Sequence, residues 1–444
     1  MTDVVQSYHI TGSTAGDIAL SIETAVRAGG LQGGDRLPTV RSLAAQLGVS
    51  PVTVAAAYRR LNERGVVSTS GRRGTHVCPG GPIPTRHGTP ALPPGVRDLA
   101  TGNPDPHLLP DLGAATARLT LPRHLYGDEA NRADLLVLAA ADLHRDGIAA
   151  DAVAVVGGAM DGIERTLQAH LRAGDRVAVE DPGYPPLRDL LGALGLAAEP
   201  VAIDDSGILP DELERVLARG AAACVVNPRA QNPTGAALDT RRAADLCSVL
   251  AAHPGVLLVE DDHAGAVSGA PSLSLSPGHD GPWAVLRSVA KMLGPDIRVA
   301  IMAGDPGTVA RVDGRQRLGT AWVSHILQEL VVVLWRDPAT AALLAQATAT
   351  YSERRQALID ALAAHGLRAH GRSGLNVWVP VAEEAAMVQF LLGRGWGVRG
   401  GERHRLRSAP AIRVTISDLL PDESERLAAD IAELVRGSLR TGTA

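Results

Sequence analysis

The chain has 444 residues, 45% of them AVILMFWYC and 20% charged, with a formal net charge of -5. This composition excludes a disordered or collagen-like chain and supplies core material for two or three domains. Aromatics make up only 2%, so the core must be built from Ala, Leu and Val, and the mild charge leaves room for a small basic module only inside an acidic average.

From the N-terminus, MTDVVQSYHITGST has neither a basic start nor an apolar stretch, and no apolar run approaches the roughly 18 residues that span a bilayer. Cys78, Cys224 and Cys247 lie far apart with no CxxC spacing. A disulfide framework and a metal site are not expected, and a cytoplasmic location is.

Ile18, Ile22, Ala25 and Val26 form a helical stripe within residues 15–28, broken by Gly33-Gly34-Asp35. Leu43, Ala44 and Leu47 mark a second, short helix that Gly48 stops. Ser50-Pro51 starts a third: serine accepts from the first free N–H groups, and proline at the first helical position gives up no hydrogen bond. That helix runs to Arg64-Gly65, and VVSTSGRRGTHV then reads as two short strands around a basic turn. Helix, helix, tight turn, helix, hairpin is the order of a winged helix-turn-helix. Its third helix enters the major groove and its wing lies along the backbone or minor groove. Arg41 would open the second helix, Thr53, Arg59 and Arg60 lie on or near the third, and Arg72 and Arg73 sit at the wing tip. Arginines bind phosphates with paired donors and read guanine edges. A solvated basic turn on a protein-binding winged helix has the same pattern.

CPGGPIPTRHGTPALPPG lacks any apolar period and reads as a linker. The boundaries are 1–78 for the head, 79–96 for the linker and 97–444 for the body, with a large lobe at about 121–340 and a small lobe at about 341–444. In the body, apolar β-branched runs (Val153–Val156, Arg176–Val179, Ala223–Val226, Val256–Val259) alternate with helical segments such as Leu187–Leu194 and Arg241–Leu250. Wholly apolar strands alternating with helices indicate a mostly parallel sheet covered on both faces, with an α+β lobe after it.

RSVAKMLGPDIR holds Lys291, the single lysine of the chain. Arginine replaces lysine wherever only a positive charge is wanted. It cannot do so where a neutral amine must attack a carbonyl. A lone lysine in a strand-to-loop setting therefore suggests covalent chemistry, against the alternative of a chance surface residue. VAVVGGAMDGIERTL runs from a strand through glycines into a helix, which aims free N–H groups at a phosphate. EDPGYPPLR sets Tyr184 in a turn where it could cover a flat ring. NPRAQNPTG and VLLVEDDHAG place Asn232 and Asp261/Asp262 at strand carboxyl ends, where parallel sheets bind ligands.

Two resemblances gather these motifs. GGDRLPTVRSLAAQLGVSPVTVAAAYRRLNERGVVSTSGRRGTHV resembles the GntR-type operator-binding domain. It implies double-stranded DNA as partner and contacts from Arg41, Thr53, Arg72, Arg73 and Gly74. The order YGD, GGAMDG, EDPGY, QNPTG, EDDH, SVAK…R and a late I-R-V resembles the class I/II aminotransferases, fold-type I enzymes of pyridoxal 5'-phosphate (PLP). Head and body together resemble the MocR/GabR-type transcriptional regulators. The resemblance implies that Lys291 is the Schiff-base lysine and that Asp261, with Asp262 the fallback, keeps the pyridine nitrogen protonated. Asn232 would bond the phenolic oxygen and Tyr184 would stack on the ring. The phosphate would take Gly158, Ala159 and Met160 backbone groups, Ser288, Arg298, and Tyr126 from the second subunit of a homodimer. Arg413 would grip the carboxylate of an effector. Three departures stand out, the first being that the usual arginine in the helix after YGD has no clear counterpart. His263 occupies the position of a usual tyrosine and would bring a titration near neutrality; Ala290 replaces the usual hydroxyl residue before the lysine. The expected function is a PLP-dependent regulator sensing an amino acid, an amine or PLP itself. The alternatives are a working aminotransferase that carries a winged helix, and a regulator that no longer binds PLP.

Overall fold

The computed structural model describes residues 10–27, 30–63, 66–70, 74–78 and 92–441. The chain divides into two compact units, Met1–Ala91 with Leu171–Val177 and Pro186–Ala198, and Leu92–His170 with Ala178–Pro185 and Glu199–Ala444.

In the head, α1 (Ala15–Arg27), α2 (Val40–Leu47) and α3 (Pro51–Glu63) precede the antiparallel pair β1 (Val67–Ser70) and β2 (Gly74–Val77). Thr39 caps α2 by accepting from the Ser42 N–H at 3.2 Å, and Gly48 ends it at φ 67°, where only a residue without a Cβ sits at no steric cost. Ser50 opens α3 by accepting from the Thr53 N–H at 3.1 Å. The apolar stripes meet in one small core of Ile18, Ile22, Leu43, Val54, Leu61, Val67 and Val77. Tyr58 crosses it to donate to the Pro38 carbonyl at 2.8 Å.

The body opens with a two-residue strand, β3 (Arg97–Asp98), and continues through β4 (Val153–Val156), β5 (Arg176–Asp181), β6 (Ala197–Asp204), β7 (Gly207–Ile208), β8 (Ala223–Val226), β9 (Leu257–Asp262), β10 (Trp283–Ser288) and β11 (Ala300–Gly304). Eight of these form one sheet in the order β4-β11-β10-β9-β8-β5-β6-β7. β8, β9 and β10 run parallel, whereas β11 is antiparallel to both β10 and β4. The physical reason lies in the connection: residues 289–299 are too few for a crossover helix and must return as a hairpin-like link. That link carries Lys291.

A second, three-stranded sheet has the order β12-β15-β14, from β12 (Asn376–Pro380), β14 (Arg399–Gly400) and β15 (Ala411–Thr415). β13 (Trp396–Gly397) pairs in parallel with β3. The segment around 97, which the sequence boundaries leave outside both lobes, is thus built into the smaller one. Among the described residues no single helix is long and apolar enough to cross a membrane.

Candidate cofactor and effector site

Side chains alternate across a strand, so neighbours on β9 face opposite environments. Asp262 accepts from Arg229 Nε and Nη2 at 2.9 and 2.8 Å and from Arg287 Nε at 2.8 Å. Arg287 extends the network to Asp142 and Asp146, both at 2.6 Å. Burial works against the Asp262 charge, but the two arginines outweigh it and hold the carboxyl down at about 2. Asp262 is therefore committed to a structural charge network, which removes it as the fallback partner of a ligand.

Asp261 is placed quite differently. It is buried, and its Oδ1 has no hydrogen-bond partner among the described residues. Burial, reinforced by the neighbouring Asp262 charge, pushes it up to about 7. An orphaned carboxylate oxygen is costly in a native interior. It fits a cationic partner supplied from outside the chain.

His263 follows the strand. Burial and the Lys291 charge lower it to about 4, so the imidazole is neutral at physiological pH. The expected titration near neutrality is corrected on that ground. Asn227 Nδ2, which donates to the Asp261 carbonyl at 2.9 Å, also lies 3.4 Å from His263 Nδ1. Glu180 is held from two sides, by the Asn227 N–H and by Gln231 Nε2, each at 3.0 Å. Asn227, Arg229, Gln231 and Glu180 escaped the sequence reading. They lie within NPRAQNPTG and EDPGY, and buried polar letters at the ends of apolar strands are the available signal.

Lys291 lies not in an open loop but in the short helix Ala290–Leu293, directly after β10. Its Nζ donates to the Gly102 carbonyl. Burial, then the nearby Arg413, lower it to about 8, which makes neutral amine available near physiological pH. Ser288, at the end of β10, is buried and accepts from the Ala290 N–H at 3.2 Å.

Arg413, on β15, is 5% exposed. It donates through Nη1 to Asn232 Oδ1 at 3.0 Å and through Nη2 to the Ala100 carbonyl, while its Nε has no partner among the described residues. Burial and Arg399 lower it to about 10. A guanidinium buried among neutral acceptors is suited to receiving a carboxylate. Tyr184 is half-buried ahead of the helix Pro185–Ala193, close enough to Arg413 to act on its charge.

A cradle forms where β4 leads into the helix Ala159–His170. Gly158 has φ 102°, and a Cβ there would come 2.7 Å from Arg298 Nη2. Arg298, itself at φ 50°, donates to the Gly157 carbonyl at 3.3 Å. Ala159 and Met160 occupy the first helical turn, whose N–H groups lack intrahelical acceptors. Backbone donors, a helix N-terminus and an arginine converge, the chemistry of a phosphate site. Tyr126 stands apart at 94% exposure, edge-on to Trp322 with 5.7 Å between ring centres.

In the head, Arg41 is exposed in the first turn of α2. Thr53, half-buried in the first turn of α3, has its Oγ1 2.8 Å from Ser50 Oγ. Gly74 begins β2 at φ 86°. Arg72 and Arg73 lie outside the described residues.

Comparison with known proteins places both parts. Residues 94–431 match the model for aminotransferase class I and II, and residues 14–77 match bacterial regulatory proteins of the gntR family. The vitamin B6 salvage pathway transcriptional repressor PtsJ of Salmonella typhimurium is 43% identical, over 95% of this chain and 98% of its own. The HTH-type transcriptional regulator TauR of Rhodobacter capsulatus is 30% identical over 84% of this chain and 85% of its own. Among solved structures, the body has the fold of the Thermus thermophilus α-aminoadipate aminotransferase LysN, complexed with N-(5'-phosphopyridoxyl)-L-leucine. The TM-score is 0.69 at 21% identity, covering 78% of this chain and 94% of that one. Asp261's open oxygen, the buried lone lysine and the Gly158 cradle fit PLP, the cofactor of this body. The chain belongs to the MocR-type transcriptional regulators, a gntR-family head joined to a class I and II aminotransferase body.

Proposed function

We propose that this regulator holds PLP on Lys291 and uses the occupied body as a sensor of an amino acid, an amine or PLP itself. The observation that carries the reading is the buried Asp261 Oδ1, left without a partner among the described residues while adjacent Asp262 is fully engaged. Lys291 would bind the cofactor's aldehyde carbon and Asp261 would hold its pyridine nitrogen protonated. Neutral His263 and Asn232 would face the phenolic oxygen, and Tyr184 would cover the ring. Gly158, Ala159, Met160, Ser288 and Arg298 would hold the phosphate, with Tyr126 serving the site of a second subunit in a homodimer. PLP, when bound, supplies an electrophilic carbon and an electron sink. Arg413 would orient an effector's carboxylate. In the head, Arg41, Thr53, Arg72, Arg73 and Gly74 would contact an operator.

The purified chain incubated with PLP should gain visible absorption. Borohydride should fix the label to one peptide, the one containing Lys291; Lys291→Ala should lose both signals. A label elsewhere, or none, overturns the cofactor assignment. With DNA from upstream of its own gene, Arg41→Ala should weaken binding, flatten the salt dependence by about one phosphate contact and leave the fold intact. Unchanged binding would remove that arginine from the interface. Steady keto-acid release from amino acids over many turnovers would favour an aminotransferase instead.

A further inference from the structure

The two cationic groups of the site are tied to one short piece of main chain. Lys291 Nζ donates to the Gly102 carbonyl and Arg413 Nη2 to the Ala100 carbonyl. The piece is shaped by Asp98, whose Oδ1 accepts from the Ala100 and Thr101 N–H groups at 2.8 and 3.2 Å. Gly102 sits at φ 71°, and a Cβ there would come 3.4 Å from Arg413 Nη2. On its N-terminal side the same piece is woven into the small lobe: Arg97 and Leu99 N–H groups donate to Gly395 and Gly397 carbonyls, and the Leu99 carbonyl accepts from Thr415, all at 2.8 Å. Thr415 lies two residues beyond Arg413 on β15. On its C-terminal side Asp105 is anchored by the Tyr351 hydroxyl at 3.0 Å and by Arg354 at 2.9 Å. In sequence, residue 97 follows directly on the segment that joins body to head.

We propose that the Ala100–Gly102 strap is a positioning element for Lys291 and Arg413, and that it relays occupancy of the site to the DNA-binding head. The inference rests on the sensor reading above. A carbonyl carbon bonded to Nζ, or a carboxylate on Arg413, competes with the strap for the same N–H donors. Each ligand therefore favours a different strap arrangement, the differential interaction that any conformational relay requires. The strap hydrogen-bonds both groups and also continues toward the linker.

The test uses the full chain with PLP as probe and the upstream DNA fragment as reporter. Asp98→Ala removes the acceptor that shapes the strap; Asp98→Asn keeps it and removes only the charge. The charged or titratable groups that act on Nζ are Arg413 from β15 and His263 from the end of β9; neither is substituted, and since the Asp98 charge acts on Arg413, Asp98→Asn reports that charge effect by itself. With the strap loosened, the ammonium loses its Gly102 acceptor. The pH midpoint of PLP capture should then move acidward by roughly half a unit, about threefold more neutral amine at a fixed pH below it. Wild type should change its DNA affinity on PLP saturation; Asp98→Ala should lose that response while Asp98→Asn retains it. Gly102→Ala, which strains the strap at its φ of 71°, should behave as Asp98→Ala and serves if that variant fails to fold. The proposal is overturned if wild type binds PLP without a change in DNA affinity, if Asp98→Ala keeps midpoint and response, or if both Asp98 variants behave alike. Absence of any borohydride-fixed label would instead mark failure of the sensor reading.

Discussion

Asp261 and Asp262 are covalent neighbours of the same chemical type, yet one is driven up to about 7 and the other held down at about 2. The alternation of a β-strand is the whole cause. One carboxylate points at two arginines, the other into a site with no cation on its Oδ1. Distinct outcomes follow on substitution. Asp262→Ala leaves Arg229 and Arg287 buried with a missing counter-charge and should cost about 3–5 kcal/mol in equilibrium unfolding. Asp261→Asn should leave the unliganded fold at least as stable, because the costly buried charge is gone. It should weaken PLP binding by roughly 10- to 100-fold, the loss of one charge-assisted bond, measurable by spectral titration. An Asp261→Asn protein that binds PLP like wild type would disprove the pyridine role.

At the scale of elements, GGAMDG separates into two jobs. Gly158 gives the turn its left-handed φ of 102° and keeps Cβ out of Arg298's way. Gly162, inside the helix, lets the helix approach β10 so closely that an added Cβ would overlap Leu286. Gly158→Val should therefore fold but lose PLP affinity by tenfold or more, through strain at the turn and displacement of Arg298. Gly162→Val should instead lower thermal stability, since the helix must lift off the sheet. The reverse pattern, with Gly158→Val binding PLP normally, would refute the cradle. In the head, Thr39→Ala removes a cap and should cost about 1 kcal/mol of stability, with a loss of DNA binding only insofar as α2 frays beneath Arg41.

For the whole molecule, buried acids set the pH response. Glu180, Glu260 and Asp261 are raised by burial to about 8, 7 and 7 from ordinary values of 4.5, 4.5 and 3.8. A raised acid binds its proton more tightly folded than unfolded. Its stabilising contribution is complete at low pH and is lost as pH rises through the folded value. Asp262 acts in the opposite sense, contributing above about 4 and losing that contribution as pH falls toward 2. The protein without PLP should therefore melt at a lower temperature at pH 8.5 than at pH 6 in scanning calorimetry, and Asp261→Asn should reduce the difference. A melting temperature that rises from pH 6 to 8.5 would contradict these buried protonations.

What the sequence determined by itself was the order of parts. Helix stripes, the Ser50-Pro51 start, the Gly48 stop and the apolar strand runs are local signals, because periodicity and capping act within a few residues. The lone lysine was equally plain, since counting needs no fold. Tertiary structure alone decided which of two adjacent aspartates was free, that His263 is neutral, and that Lys291 sits in a short helix. It also decided that a carbonyl strap from residues 100–102 holds both cations. These depend on strand facing, on burial and on contacts between residues some 190 to 310 positions apart. No local pattern encodes such contacts, because they exist only once the sheet has brought distant segments together.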